Sequence, residues 1–193
     1  MSYAAYKRVL GPVVEALYRP EVRGAEHVPL SGPLVVAANH ESILDPFLLG
    51  MAVPRPIRWL AKAELWQIPL VGDLLEAGGV IPLRRGGSDV AAIGAAVDAL
   101  EAGEAVGIFP RGRVRSEGPW LRGGARMALV TGAPLLPVRL VDTAKALAPG
   151  TVGFPRLAAL IGEPLRVERG KPTIARAREL THALQAAVET LGT

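Results

Sequence analysis

The sequence predicts a single α/β domain in which helices flank a mixed, mostly parallel β-sheet. Short apolar runs alternate with segments of helical periodicity, which is the pattern of strand–helix–strand units. The chain has 193 residues, enough for one core, and contains no repeat or low-complexity linker. It has no cysteine, which excludes a disulfide scaffold, a thiolate metal site and a cysteine nucleophile.

The first predicted element is an amphipathic helix over residues 1–19, which ends before Pro20. Apolar side chains recur at intervals of three and four between Tyr3 and Tyr18, so they form one stripe. Such a helix can lie in a membrane interface or pack on its own domain, and both interpretations stay open. We therefore treat it as a possible membrane contact and expect residues 20–193 to form the main domain.

The other predicted elements follow in alternation. Apolar runs too short for helices predict strands at Leu34–Ala38, Ile57–Ala61, Val80–Leu83, Ala105–Phe109, Leu135–Leu140 and Leu157–Ile161. The segments between and after them predict helices, of which the third is rich in alanine and the last is amphipathic, at Ser42–Met51, Leu70–Ala77, Asp89–Ala102, Gly123–Thr131 and Thr173–Leu191.

A histidine and an aspartate follow the first buried strand. His40 lies in the predicted loop, and Asp45 lies in the first turn of the next helix. Ligands collect at this edge of α/β sheets. An aspartate that folds back onto an imidazole fixes its tautomer and makes the other nitrogen a usable base. The structural alternative is a capping box formed by Ser42 and Asp45.

Arginines follow two further predicted strands. One pair precedes two glycines, and the other group lies in a glycine-containing loop. The planar guanidinium group suits phosphate, and arginines at alternate positions repel one another unless an anion is present. A solvated loop is the alternative in both places. The candidate ligands are Arg84 and Arg85, then Arg111, Arg113 and Arg115 together with Gly112.

Four blocks in a fixed order resemble the glycerolipid acyltransferases, the family of the lysophosphatidate and glycerol-3-phosphate acyltransferases. The blocks are Asn39-His40-x4-Asp45, residues 62–85, Phe109-Pro110-x-Gly112 and residues 133–138. The resemblance covers about residues 24–164. The order of the blocks is more specific than any one of them, and it identifies residues 20–193 as an acyltransferase domain.

The resemblance implies transfer of a fatty acyl group from acyl-coenzyme A or acyl carrier protein to a hydroxyl of a lysophosphatidate-like or glycerol-phosphate acceptor. His40 would be the general base, oriented by Asp45, and the arginines would hold the acceptor phosphate, with the family's phosphate-binding arginine at Arg85. With no cysteine and no Gly-x-Ser-x-Gly motif, we expect direct attack without an acyl-enzyme. Backbone N–H groups of the Phe109 to Gly112 turn are expected to stabilise the oxyanion.

The third block departs from the family pattern Phe-Pro-Glu-Gly-Thr-Arg-Ser. Arg111 stands in place of the glutamate, and Arg113, Val114 and Arg115 stand in place of the last three residues. Since the family's glutamate and arginine are thought to serve the acceptor, the acceptor is left open, and Arg113 or Arg115 is a candidate for the missing arginine. Two other functions are considered: a non-catalytic lipid- or anion-binding relative, and an ester hydrolase.

Charge and hydropathy bear on partners and location. The net charge is +4, but basic residues are mixed with acidic ones, so we expect no nucleic-acid partner. The longest stretch without Asp, Glu, Lys or Arg is His27 to His40, too short to span a membrane. We expect a cytoplasmic protein that contacts the inner face of the cell membrane peripherally. Beyond the acyl thioester co-substrate we expect no cofactor, and the three histidines are too scattered for a metal.

Overall fold

The computed structural model describes residues 12, 14–84, 89–146 and 154–192. Most of the helix predicted over residues 1–19 lies outside this part of the chain. Residues 14–18 are helical and are called α1 below. Tyr18 is buried in the core and its ring packs edge-on against Phe154, with centroids 5.4 Å apart. In the described part of the chain, no helix has the length and apolarity needed to cross a membrane.

A seven-stranded sheet forms the centre of the fold, as the α/β prediction requires. Its order is β1-β7-β6-β2-β5-β3-β4, and among these strands of the described residues only β6 and β7 pair in antiparallel fashion. The strands are Glu21–Arg23 (β1), Leu34–Ala38 (β2), Ile57–Lys62 (β3), Ile81–Leu83 (β4), Ala105–Ile108 (β5), Leu135–Val141 (β6) and Ala158–Ile161 (β7). The central strand β2 is buried over its whole length, which explains its uninterrupted apolar sequence.

Helices cover both faces of the sheet. They are Asp45–Ala52 (α2), Val71–Ala77 (α3), Val90–Glu101 (α4), Gly123–Thr131 (α5) and Ile174–Thr190 (α6). Alternate residues of β2 face two separate cores. Val36 packs in the core that includes α2 and Tyr18, and Val35 packs in the core that includes α4, α5 and α6. Short 3-10 turns lie at Ala25–His27, Ala63–Gln67 and Thr143–Lys145.

The path of the chain creates a crevice between β6 and β2. These neighbouring strands run parallel, with Ala38 paired to Val138 near the carboxyl end of β2. The chain leaves β2 through α2 for β3 on one side, and it leaves β6 for β7 on the other side. Adjacent strands whose connections diverge in this way define the topological switch point at which open α/β sheets bind ligands.

Apart from shifts of one residue at the ends of elements, the structure corrects three sequence-based predictions. β1 was not predicted, because its three residues are exposed and two of them are charged. The helix predicted from Ser42 begins at Asp45, where Pro46 occupies the first turn. The capping box also does not form, since Leu44 is the N-cap residue and makes no side-chain cap. Instead the Asp45 carboxylate accepts hydrogen bonds from the residues before the helix.

Candidate active site

The His40 loop begins where β2 ends and is held against β6. The Asn39 side chain accepts a hydrogen bond from Leu140 N at 2.7 Å and donates one to Leu140 O at 2.9 Å. These two bonds continue the pairing of β2 with β6 by one residue. His40 therefore leaves the sheet from a fixed point, and its side chain is 15% exposed.

A buried carboxylate orients the His40 ring. Asp45 is fully buried, and its Oδ2 accepts hydrogen bonds from His40 Nδ1 at 2.8 Å, Glu41 N at 2.7 Å and Ser42 N at 2.9 Å. Because two backbone N–H groups donate to the same oxygen, that oxygen is an acceptor and the proton of the third bond lies on Nδ1. His40 Nε2 is then the nitrogen that keeps its lone pair, as a general base requires. The contact is the one that the sequence spacing predicts.

Aromatic rings stack on one face of the His40 imidazole. The Phe109 ring stacks on His40 with a centroid distance of 3.9 Å and an angle of 14° between the planes. The Trp59 ring stacks on the far face of this pair, 5.2 Å from Phe109 and at 11° to it. Sequence reasoning missed both contacts, because His40, Phe109 and Trp59 belong to segments that are distant in sequence.

The three arginines of the loop from β5 to α5 differ in burial and in hydrogen bonding. Arg115, with a left-handed backbone (φ 54°), donates from its backbone N–H to His40 O at 2.7 Å. Its guanidinium donates to Glu41 O at 3.1 Å and to Ala144 O at 2.5 Å. It thus ties together the loops that follow β2, β5 and β6. Arg113 is exposed, whereas Nε of Arg111 is buried and has no hydrogen-bond partner in the described part of the chain.

A tight turn connects β5 with this loop. Gly112 N donates to Phe109 O at 2.8 Å, and Gly112 has a φ of 71°, a conformation that glycine adopts without strain. Leu121 N closes the base of the loop by donating to Pro110 O at 2.8 Å. The turn fixes the backbone of Phe109 at the end of β5.

The arginine pair after β4 lies farther along the same edge. Arg84 is exposed and lines an open cleft of about 490 Å³ with Ala63, Glu64, Trp66 and Gln67. Its backbone N–H donates to the Asp89 carboxylate at 2.7 Å, and Ala92 N at the start of α4 donates to the other oxygen at 3.1 Å. Both bonds lower the pKa of Asp89, and the bond from the Arg84 N–H has the larger effect. Arg85 lies outside the described residues.

Buried polar atoms without a partner collect at the same edge. In the described part of the chain they are Asp45 Oδ1, Arg111 Nε, Trp120 Nε1 and Thr143 Oγ1. All four belong to segments that follow the carboxyl ends of β2, β5 or β6. Buried polar groups are normally paired, so each of these atoms is a candidate for a hydrogen bond to water or to a ligand.

Fold and site together define an open-sheet α/β protein whose switch point carries a histidine bonded to a buried carboxylate and bordered by arginines. A model of the Acyltransferase family matches residues 19–141, which is more than half of the chain. The chain belongs to this family, and the resemblance predicted from four ordered blocks is confirmed.

Individual relatives are consistent with this assignment. The chain is 30% identical to the chloroplastic 1-acyl-sn-glycerol-3-phosphate acyltransferase BAT2 of Brassica napus, over 71% of this chain and 41% of that protein. It is 30% identical to the 1-acyl-sn-glycerol-3-phosphate acyltransferase of Bacillus subtilis, over 89% of this chain and 87% of that one. The crystal structure of the Thermotoga maritima acyltransferase PlsC shares the fold, with a TM-score of 0.76 and 23% identity over 97% of this chain and 77% of that chain.

Proposed function

We propose that this protein transfers an acyl group from a thioester to a hydroxyl of a lysophosphatidate-like or glycerol-phosphate acceptor. The observation that supports this most is the bond of 2.8 Å between buried Asp45 and His40 Nδ1, which leaves Nε2 at the switch point as a base. Both relatives described above are named 1-acyl-sn-glycerol-3-phosphate acyltransferases. The donor is acyl-coenzyme A or acyl carrier protein, and the reaction needs no metal or prosthetic group.

In the proposed reaction His40 first accepts a proton as a general base and then donates it as a general acid. Nε2 takes the proton of the acceptor hydroxyl as its oxygen attacks the thioester carbonyl, which forms a C–O bond and an oxyanion. The Asp45 carboxylate stabilises the imidazolium that results. Collapse of the oxyanion breaks the C–S bond, and Nε2 donates its proton to the departing thiolate. The products are an ester and a thiol, and no acyl-enzyme forms.

The oxyanion needs donors close to His40. In the turn after β5, Pro110 has no N–H group, and the Gly112 N–H already donates to Phe109 O. The backbone N–H groups of Phe109 and Arg111 are therefore the candidates within the turn. We assign the oxyanion to the Arg111 N–H, because the cationic side chain of the same residue, whose Nε is buried, favours negative charge there.

The acceptor phosphate is assigned to the arginines of the edge. Arg111 contributes a buried Nε with no protein partner in the described part of the chain, which is the state expected of a group that awaits an anion. Arg84 and Arg113 are exposed and can approach a phosphate from solvent. Arg85 belongs to this proposal on the family resemblance alone. Arg115 contributes through the His40 loop, since two backbone carbonyls occupy its guanidinium.

Lipid contact is proposed for the rim around the site. Six large apolar side chains are exposed in segments that follow the carboxyl ends of β2 to β5: Ile43, Ile68, Leu70, Val90, Val114 and Leu121. Arg84, Arg113 and Arg122 are exposed in the same segments. Apolar side chains interspersed with cations suit an anionic membrane surface. Peripheral docking at the inner face of the cell membrane would then bring a long-chain acceptor to His40.

Thiol release from palmitoyl-coenzyme A, or from palmitoyl-acyl carrier protein, tests the proposed transfer. Lysophosphatidate and glycerol 3-phosphate are the acceptors, and His40→Ala is compared with His182→Ala, which changes an exposed residue of α6. Acceptor-dependent release that His40→Ala abolishes and His182→Ala retains supports the proposal. Release that needs no acceptor indicates a hydrolase. Ligand binding with no release from either donor indicates a non-catalytic relative.

Sedimentation with vesicles tests the proposed docking surface. A variant with Ile43→Ser, Leu70→Ser and Leu121→Ser is expected to lose most of its binding to phosphatidylglycerol vesicles. Leu30→Ser is the matched control, because Leu30 is 74% exposed but precedes β2 at the opposite edge of the sheet. Equal loss in both variants, or no loss in the triple variant, contradicts docking through the rim. Deletion of residues 1–11 measures the contribution of the amino-terminal segment separately.

A further inference from the structure

Three aromatic rings on neighbouring strands form one stack that ends at His40. Trp59 lies in β3, Phe109 directly follows β5, and His40 follows β2, and these strands are adjacent in the sheet. The planes are within 14° of each other at both contacts. The stack therefore crosses the sheet perpendicular to the strands and presents one aromatic face to the imidazole.

A glycine makes room for this arrangement. Gly107 pairs with Trp59 in the register of β3 and β5. A Cβ at Gly107 would overlap the Trp59 indole ring, so only glycine lets the indole lie across β5. There it meets Phe109, which projects from the same face two residues later. Gly107 and Trp59 thus act as a pair that supports the Phe109 ring from behind.

We propose that Trp59 is a positioning residue that acts through Phe109 on the His40 ring. The covalent attachment at Cγ and the bond from Nδ1 to Asp45 hold two points of the imidazole, but the ring can still tilt about the line between them. A parallel ring at a centroid distance of 3.9 Å fixes the plane as well. Two held points together with a fixed plane determine where Nε2 points, which is the geometry that proton transfer depends on.

Phe109 does not hold this position alone. Its carbonyl oxygen accepts the turn bond from Gly112, but its ring is only partly buried and packs at the border of the core. Trp59 is the ring on its other side, with a centroid distance of 5.2 Å. Without the indole, Phe109 has space to turn away from His40, and Nε2 loses its fixed direction while the bond to Asp45 remains.

The activity test uses two substitutions at Trp59 and rests on the proposed function. Trp59→Leu removes the aromatic face, and kcat is expected to fall about tenfold with both KM values within twofold of the wild type. Trp59→Phe keeps a ring and is expected to retain at least half of kcat. If the two variants lose kcat equally, or if the loss follows the folded fraction measured by thermal unfolding, Trp59 has only a structural role and the proposal is wrong.

Gly107→Ala gives an independent test of the same coupling. The new methyl group displaces the indole, so kcat is expected to fall as in Trp59→Leu. The double variant is expected to lose no more kcat than either single variant, because both changes remove the same support. Multiplied losses in the double variant would show that the two residues act separately and would overturn the proposal.

The resonances of the His40 ring in NMR spectra test the stack independently of any activity assay. Trp59→Leu is expected to shift the His40 ring signals, identified by their loss in His40→Ala, and to leave those of His182 on α6 in place. Unchanged His40 signals refute the coupling whatever the activity is. Shifted signals in a protein that transfers no acyl group support the stack and contradict the proposed function instead.

Discussion

Asp45→Asn is the substitution that tests the site most sharply, because it removes one charge and almost no volume. In the wild-type protein Oδ2 accepts three hydrogen bonds of 2.7 to 2.9 Å, whereas Oδ1 is buried without a partner in the described part of the chain. An asparagine can place its carbonyl oxygen at the Oδ2 position and its NH2 group at the Oδ1 position. All three hydrogen bonds and the tautomer of His40 are then retained.

The expected loss of kcat in Asp45→Asn follows from the removal of the negative charge alone. A hydrogen bond to a charged group contributes about 1.5–3 kcal/mol, against about 0.5–1.5 kcal/mol for a neutral pair. Losing a difference of about 1–2 kcal/mol in the transition state lowers kcat by about 5- to 30-fold. An asparagine turned the other way, with NH2 facing His40, would impose the wrong tautomer and lower kcat by roughly 10⁴-fold. The three bonds to Oδ2 favour the smaller loss.

Asp45→Ala provides the contrast. It leaves the backbone N–H groups of Glu41 and Ser42 without their acceptor, and each buried unpaired group costs about 1–3 kcal/mol. The alanine variant is therefore expected to be less stable by about 2–6 kcal/mol and to lose kcat by about 10³-fold or more.

Acceptor-dependent thiol release and urea unfolding measure both effects, with Asp98→Asn on the exposed face of α4 as the control. A loss below twofold in Asp45→Asn would mean that the charge does not act on His40. A loss of about 10⁴-fold in a stable Asp45→Asn protein would mean that the carboxamide is reversed and the hydrogen-bond argument is incorrect.

Three further variants address the surrounding loops. Arg115→Met releases the Glu41 carbonyl and is expected to lower kcat severalfold at constant acceptor KM; a raised KM alone would instead make Arg115 a phosphate ligand. Gly112→Ala forces a φ of 71° on alanine and is expected to destabilise the protein by about 1–2 kcal/mol in urea unfolding. Asp89→Ala is expected to lower Tm at pH 7 and to lower it progressively less as the pH falls below about 4. The hydrogen bonds that lower the pKa of Asp89 make its contribution to stability fully present above the ordinary aspartate pKa of about 4, and the contribution is lost as the pH falls through the lowered value; an effect on Tm that does not change with pH would contradict this.

The fold was predictable where local sequence decides the structure. Leu34–Ala38 has the predicted bounds, because a central parallel strand is buried on both faces and its sequence is therefore an unbroken run of apolar residues. Glu21–Arg23 was not predictable in this way. Its strand exists only through parallel pairing with β7, in which Glu21 pairs with Ala158, 137 residues later in the chain. The beginning of α2 was misplaced because the Asp45 carboxylate, rather than Ser42, satisfies the N–H groups before the helix.

The site was predictable within each segment but not between segments. His40 and Asp45 are five residues apart, so a turn followed by a helix is enough to bring them together. The stack of Trp59, Phe109 and His40 needs the strand order β2-β5-β3, which the sequence does not contain in any local pattern. The same is true of Arg115, whose partners lie in the loops after β2 and β6. A glycine in the middle of a buried strand, Gly107, was the available signal for a close ring contact.

Strand order also determines which arginine is nearest to the reacting hydroxyl. Arg111 follows β5, which is adjacent to the strand that carries His40, whereas Arg84 follows β4, three strands and therefore roughly 14 Å away. In glycerol 3-phosphate the phosphate lies only a few bonds from the hydroxyl, so a hydroxyl held at Nε2 places the phosphate close to β5. Arg111→Gln is therefore expected to raise the KM for glycerol 3-phosphate at least tenfold, and Arg84→Gln to raise it less. Because Nε of Arg111 has no partner in the described part of the chain, the first change is also expected to leave Tm unchanged or higher. A larger KM effect at Arg84 would place the phosphate at the cleft beside Trp66, with the acceptor extended along the sheet edge.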